Sequence, residues 1–238
     1  MTESAGTIRV LTWNVHGCVG RDGVCDPDRV AQVLDAAQPD ISALQEIDNR
    51  TRAAARDSFS YFGELFGWTT VSARTLTAKD GNYGHIVLSR WPIESLGEID
   101  LSVPRREPRK AIVGRIAAPG GPIIVIAAHL GLWPRERRSQ FARLRERIDA
   151  IAERPLLVLG DFNDFPGRGL AERTLCPPLE PTPELRTYPS RFPLLPLDRI
   201  WFSAPLELAT MATLRDANLV SDHLPLLASL RRATPTSA

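Results

Sequence analysis

Asn14 and His16 close the first apolar run of the chain and Glu46 the second, His129 ends a central run, and Asp161 with Asn163 follows the next. Asp198 opens a late run, and Asp222-His223 stand before the last. Carboxylates and amides gathered at strand ends would meet in a cleft, where they repel one another unless a divalent cation holds them. Oxygen donors of this kind, without a cysteine-histidine cage, select a hard ion such as Mg2+, Mn2+ or Ca2+. The chemistry open to such a set is in-line attack on a phosphodiester. A cation and N–H donors take up charge on the non-bridging and leaving oxygens, and a spare carboxylate acts as base for the water.

Taken singly, each residue has an ordinary role available. Asn14 could close a turn through its side chain. Glu46 could be a surface acid, His129 a hydrogen-bonded core histidine, and Asp161 and Asn163 the cap of a following helix. Ser221-Asp222-His223 could open a turn. The argument for a shared site is that all of them fall at strand ends, in order along one chain.

The elements that must position them read as an α/β layered fold. Ile8 to His16 is β-branched and aromatic and reads as a buried strand ending in a Gly-rich loop. Asp26-Pro27 is an N-cap followed by proline at the first helical position, with Val30, Val33, Leu34 and Ala37 on one apolar face. Asp40 to Ile47 is a second strand, and a helix is expected over Thr51 to Phe66. Strands follow over Trp68 to Arg74, His85 to Trp91, Glu94 to Leu101, Lys110 to Ala117 and Pro122 to Leu130, with a tight turn at Pro119 to Pro122. Pro134 to Glu153 has helical spacing through Phe141, Leu144, Ile148 and Ile151. Further strands are expected at Leu156 to Gly160, Arg199 to Ser203, Leu206 to Leu214 and Leu224 to Leu230. The proline-rich stretch Cys176 to Pro196 reads as a long surface loop inside one domain, spanning 7–231, with flexible tails at 1–6 and 232–238.

The chain has 238 residues, 43% hydrophobic and 24% charged, the profile of a soluble globular protein. Its 29 basic and 28 acidic residues leave a net charge of +1, which excludes a broadly basic surface gripping long nucleic acid. Cys18, Cys25 and Cys176 lack disulfide or zinc spacing and are expected to be free thiols in a reducing, cytoplasmic setting. No run approaches the ~18 apolar residues of a transmembrane helix. Arg105, Arg106, Arg109 and Lys110 are the one basic cluster that could line the cleft, or else a solvated hairpin.

A set of short motifs resembles the endonuclease/exonuclease/phosphatase superfamily: Thr12-Trp13-Asn14-Val15-His16-Gly17, Leu44-Gln45-Glu46, Tyr83-Gly84-His85, Ala128-His129-Leu130, Gly160-Asp161-Phe162-Asn163, Leu197-Asp198-Arg199-Ile200 and Ser221-Asp222-His223. The resemblance runs from about residue 8 to 230, in matching order. It implies a DNase I-like four-layered αββα sandwich, two mixed sheets face to face with helices outside and the site at one end. It further implies hydrolysis of a phosphodiester with Mg2+ or Mn2+. Glu46 would bind the metal with Asn14 beside it and Asp222 completing the site or lying just outside it. Asp161 would activate the water and Asn163 would orient it or the phosphate. His223, held by Asp198, would sit against a phosphate oxygen, Tyr83 would contact the phosphate, and His129 would donate to the phosphate or the leaving oxygen. His16 and Arg109 are the remaining candidate substrate contacts.

His16 stands where apurinic-site endonucleases of that superfamily carry an acid or Asn, and those enzymes lack the His129-Leu130 pair. With Asn14 to Gly23 and Tyr188 to Ile200, the chain instead resembles a bacterial branch of small, stand-alone members. The expected substrate is a small or lipid-derived phosphodiester. A DNA or RNA nuclease is the second reading, and a non-catalytic binding module on the same fold the third. No oligomeric state is expressed in the sequence.

Overall fold

In the computed structural model, which describes residues 7–50, 57–165 and 169–233, the strands build two six-stranded mixed sheets. The first contains β1 (Ile8–Asn14), β2 (Ile41–Asp48), β3 (Thr69–Ala78), β4 (Gly81–Ser89), β11 (Leu206–Thr213) and β12 (Leu226–Arg232), in the order β11-β12-β1-β2-β4-β3. The second contains β5 (Ile93–Asp100), β6 (Lys110–Ile116), β7 (Ile123–His129), β8 (Leu156–Asp161), β9 (Glu180–Pro181) and β10 (Asp198–Phe202), in the order β5-β6-β7-β8-β10-β9. Each sheet has one parallel pair at its centre, β1 with β2 and β7 with β8; the other pairings are antiparallel. A parallel pair needs a crossover. Here the crossovers are α1 (Pro27–Ala37) and α3 (Pro134–Ala150); α2 (Ser58–Phe66) and α4 (Leu170–Leu175) are the other α-helices among the described residues.

Side-chain parity explains the layers, since successive residues of a strand point to opposite faces. Ile8 and Val10 of β1 join Ile41, Ala43, Val125, Ala127, Leu157, Leu159 and Leu226 in a core between the sheets. Leu11 and Trp13, one residue out of step, pack with Val30, Leu34, Phe59 and Phe62 beneath α1 and α2. On the far side, Ile124, Ile126, Val158 and Trp201 pack with Phe141, Leu144 and Ile148 of α3. These three cores separate four layers, helices, sheet, sheet, helices. The fold is thus the DNase I-like αββα sandwich expected from the sequence.

Local signals set the helix starts. Asp26 caps α1 by accepting from the Asp28 N–H at 3.0 Å, with Pro27 in the first turn. Asp57 caps α2 through the Phe59 N–H at 3.1 Å. The expected helix from Thr51 begins only at Ser58 within the described residues; 51–56 lie outside them. The proline-rich stretch is not structureless: β9 pairs with β10, and Tyr188 bridges to Leu195. α4 was not foreseen, being too short for a periodic pattern. The strand at the C-terminal end continues to Arg232, beyond the expected boundary at 231, because β11 pairs with it along that length.

Gly160 lets β8 lie against β7 one residue before Asp161. A Cβ there would stand 1.9 Å from the Ala128 carbonyl oxygen. Gly160→Ala is expected to lower stability by roughly 1–3 kcal/mol, read as a lower urea midpoint; an unchanged midpoint would show that the two strands can part without cost.

Candidate active site

The parity that builds the inter-sheet core also delivers the polar residues. Extending the row Ile8, Val10 and Thr12 by one step gives Asn14; Val125 and Ala127 lead to His129; Leu157 and Leu159 lead to Asp161; and Asp198 begins the row of Ile200 and Phe202. Glu46 breaks the rule. A bulge between Leu44 and Ile47, with Glu46 at φ +58°, displaces Ile47 to the helix side and brings the Glu46 carboxylate to Asn14. A non-glycine residue in this backbone region is strained, and such strain concentrates at functional sites.

The Asn14 amide ties the sheets together. Its Nδ2 donates to Glu46 Oε1 at 2.8 Å and to Asp161 Oδ2 at 3.0 Å, while its Oδ1 accepts from the His16 N–H at 3.0 Å. Asp161, nearly fully buried, is the meeting point. His129 Nε2 lies 3.6 Å and His223 Nε2 3.8 Å from its Oδ2, and its Oδ1 accepts the Asn163 N–H at 3.1 Å. The Asn163 amide, also with positive φ, turns to the Leu130 carbonyl at 3.0 Å. Ser221 fixes the last loop, its hydroxyl donating to the Asn14 carbonyl at 2.7 Å and accepting the His223 N–H at 3.2 Å. The buried Asp198 then meets His223 Nδ1 at 2.8 Å, and Trp13 Nε1 donates to the His223 carbonyl at 3.0 Å.

Residues 11–223 match the Endonuclease/Exonuclease/phosphatase family. The chain belongs to that family. It is 37% identical to Escherichia coli YbhP over 170 residues, which make up 66% of this chain and 66% of that relative, so the matched part spans just under two thirds of it. Among solved structures it resembles an endonuclease/exonuclease/phosphatase of Beutenbergia cavernae (TM-score 0.79, 21% identity, 98% of this chain and 73% of that one). It also resembles the mannosyl-6-phosphatase Bt3783 of Bacteroides thetaiotaomicron (TM-score 0.76, 17% identity, 94% and 99%). The family is one of phosphoester hydrolases, and the four-layered fold agrees with these structures.

Within this family member the two histidines beside Asp161 differ sharply. Burial alone would depress the His223 imidazolium, but the Asp198 carboxylate, with Asp161 and Asp222 nearby, overrides it and raises the pKa to about 10. His129 goes the other way: burial, then the positive Arg109 and neighbouring His85 and His223, hold it well below its ordinary value. Arg109, itself buried, places Nη1 3.2 Å from His129 Nδ1. A guanidinium can only donate. His129 Nδ1 therefore accepts, and the ring proton sits on Nε2, facing Asp161 and Glu46.

The other expected residues stand at the rim. Asp222 pairs with His16, Nδ1 to Oδ1 at 3.2 Å, both about half-exposed. Burial would raise the Asp222 carboxyl, but the His16 hydrogen bond and the charges of His223 and His16 hold it below the ordinary value. Tyr83 lines a polar cleft of about 270 Å3 with His16, Glu46, Asp48, Arg50 and Glu107. Burial, with Glu46 close by, pushes its phenol upward, and the Arg50 guanidinium covers its ring at 4.8 Å. Arg109 also meets Glu107 at 3.0 Å, so of the basic cluster it alone turns inward; Lys110 pairs with Glu98 on the strand. The contributions of Ser221, Glu107, Arg50 and His85 are not readable from spacing, because they depend on loops and strands brought together only by folding.

The donor chemistry suits a metal ion. Asp161, Asp198 and His223 each offer a ligand atom within 4.8 Å of the others. His223 Nδ1 is already taken by Asp198, so Asp198 serves the imidazole, and the carboxylates that crowd the Asn14 amide are Glu46 and Asp161. Burial raises the Asp161 pKa to about 7; His223 and the Asn14 amide oppose this, while Asp198 and Glu46 add to it. Carboxylates crowded in this way are relieved by a cation.

From the ordinary value of 3.8 up to about 7 the folded protein retains a proton on Asp161 that the unfolded chain has lost, so rising pH removes stability across that window. In metal-free buffer, the stability of Asp161→Asn relative to wild type is expected to increase as pH rises from about 4 to about 7, measured by urea unfolding. A difference independent of pH would mean that Asp161 is ionised throughout.

Proposed function

We propose that the protein is a divalent-metal-dependent phosphoesterase, using Mg2+ or Mn2+, that hydrolyses a small or lipid-derived phosphodiester by in-line attack of water. The observation that carries this reading is the Asp161 carboxylate, which stands within 4 Å of Asn14, His129 and His223 at the junction of both sheets. Glu46 and Asn14 would hold the ion, and Asp222 would support it from the rim. The bound ion would supply charge stabilisation on a non-bridging oxygen.

The side chains of the chain itself do the rest. Asp161 takes the proton of the attacking water, a role suited to a carboxyl raised toward neutrality. Asn163 holds the water or the phosphate, and Tyr83 contacts the phosphate. His223, kept as imidazolium by Asp198, donates from Nε2 to a phosphate oxygen. His129, neutral and protonated on Nε2, donates to the phosphate or to the leaving oxygen. Arg109 holds that tautomer, and His16 contacts the substrate at the cleft mouth. The compact cleft supports a small headgroup over a long polyanion. The free thiols Cys25 and Cys176 support a reducing, cytoplasmic setting.

Bis-p-nitrophenyl phosphate should be hydrolysed with Mg2+ or Mn2+, the rate should vanish with EDTA, and Asp161→Ala should lose roughly 10²–10⁴ in kcat. Absence of wild-type activity on any phosphoester, with no metal binding by calorimetry, would reject the reading. Asp198→Asn removes the main charge that raises His223, so the alkaline limb of the pH-rate profile should move down by a unit or more, on the order of 1.4 kcal/mol per unit. Mn2+ affinity should stay nearly constant in that variant; a large loss would place Asp198 among the metal ligands.

A further inference from the structure

The large apolar side chains that the described chain leaves exposed are concentrated at one end of the molecule. Leu132 (68% exposed) and Trp133 (56%) lie in the loop that leaves His129, and Phe165 lies just past Asn163. Phe192 (66%) and Leu194 (62%) lie in the loop that leads to Asp198, and Leu219 in the loop that leads to His223. Each loop starts or ends at a residue of the candidate site, and strand pairing places them together. His129 is opposite Asp161, Asp161 opposite Asp198, and Thr12 of β1 opposite Leu226. Val24 is exposed in the loop that follows His16, whose Arg21 N–H meets the Leu219 carbonyl at 3.0 Å, and Leu65 is exposed on the outer helix α2.

Arginines accompany these side chains. The Arg106 guanidinium lies 4.7 Å over the Trp133 ring and that of Arg191 5.1 Å over Phe192, with Arg105 and Arg135 exposed nearby in sequence. A stable protein interface would need these side chains joined in one well-packed face, whereas here they come in ones and twos from four different loops. Single-stranded nucleic acid would stack on open aromatic faces, yet Leu132, Leu194 and Leu219 offer none, and guanidinium groups already lie over Trp133 and Phe192. A fluid bilayer accepts separate apolar points at once, and aromatic side chains flanked by arginine suit its boundary with water, above all where lipid headgroups are anionic.

We infer that the rim of the site is a docking surface for an anionic phospholipid bilayer. The loops that carry His129, Asn163, Asp198 and His223 rest on the membrane, and the cleft opens toward its headgroups. The substrate is then the phosphoester of a membrane lipid, a step that rests on the phosphoesterase reading, whereas the docking itself does not.

Flotation of the full chain with phosphatidylcholine vesicles, with and without phosphatidylglycerol, tests the surface. Wild type should float with the phosphatidylglycerol vesicles and do so less at high salt. Trp133→Ser with Phe192→Ser should reduce partition at least about tenfold, since both side chains would leave water on docking. Hydrolysis of soluble bis-p-nitrophenyl phosphate should remain within about twofold in that variant, which shows that it is folded. Arg106→Ala with Arg191→Ala should lose the preference for anionic vesicles. Wild type left in solution, or a double serine variant that floats equally well, overturns the surface whatever the soluble activity. Binding to a single-stranded oligonucleotide that falls with the same substitutions, without vesicle binding, overturns it in favour of a nucleic-acid platform. If wild type floats but cleaves no phosphoester in solution or in the vesicle, the docking stands and the phosphoesterase reading falls.

Discussion

The interaction on which the site depends is the contact of the Asn14 amide with carboxylates from both sheets, Glu46 at 2.8 Å and Asp161 at 3.0 Å. Two β-sheets packed through an apolar core have no reason to place charges between them, and a buried carboxylate is costly unless hydrogen-bonded. The inter-sheet face is apolar along most of its length and becomes polar toward the strand ends that meet at Asp161. There the amide donates to acids of both layers. The parallel pairs at the sheet centres give this its symmetry: β1 and β2 deliver Asn14 and Glu46, and β7 and β8 deliver His129 and Asp161. In α/β folds the space beyond the carboxyl ends of such strands is where ligands bind.

Electrostatics then distinguishes residues of one type. His129 and His223 both face Asp161 Oδ2, at 3.6 and 3.8 Å, and both are buried. Asp198 behind one ring keeps it charged to about pH 10 against its burial, whereas burial, reinforced by Arg109, keeps the other neutral, and Arg109 fixes its proton on Nε2. Beyond Arg109 the fully buried His85 is depressed in turn to about 3, by burial and by the same guanidinium. A single buried arginine is thus flanked by neutral imidazoles, and a single buried carboxylate by one neutral and one charged ring. Burial pushes both rings toward the neutral form, and the partner behind each ring decides whether that push is overridden.

The loops that close this end have a double task. Their inner residues, Ser221, Thr187 and Leu130, hold the site through backbone and hydroxyl contacts: Ser221 seats His223, the Thr187 hydroxyl accepts the Asp198 N–H, and the Leu130 carbonyl accepts the Asn163 amide. Their outer residues are apolar and exposed. Loops commonly carry function because a rigid scaffold positions them while leaving their sequence free.

Much of this was legible in the residues themselves. Apolar runs of strand length, the Asp26-Pro27 helix start and the polar residues closing each run determine the layered class and the set of side chains at the strand ends, because parity and capping are local rules, and the family shows in the short motifs that carry those residues. The central strands and α3 stand close to where periodicity puts them, and the four-layered arrangement is the one the motif resemblance implies. The positions that local rules could not reach are those set by contacts distant in sequence. Alternation alone would send Glu46 to the helix side, and the bulge that returns it arises only where β2 pairs with β4. Arg109 lies in a basic cluster that could equally be a solvated hairpin, and burial against His129, twenty residues away, decides the matter. The sequence by itself determined which groups are present and at which strand ends; the tertiary structure alone decided which of them meet and where the protons lie, because pairing register and the dielectric surroundings of a buried charge are properties of the packed whole.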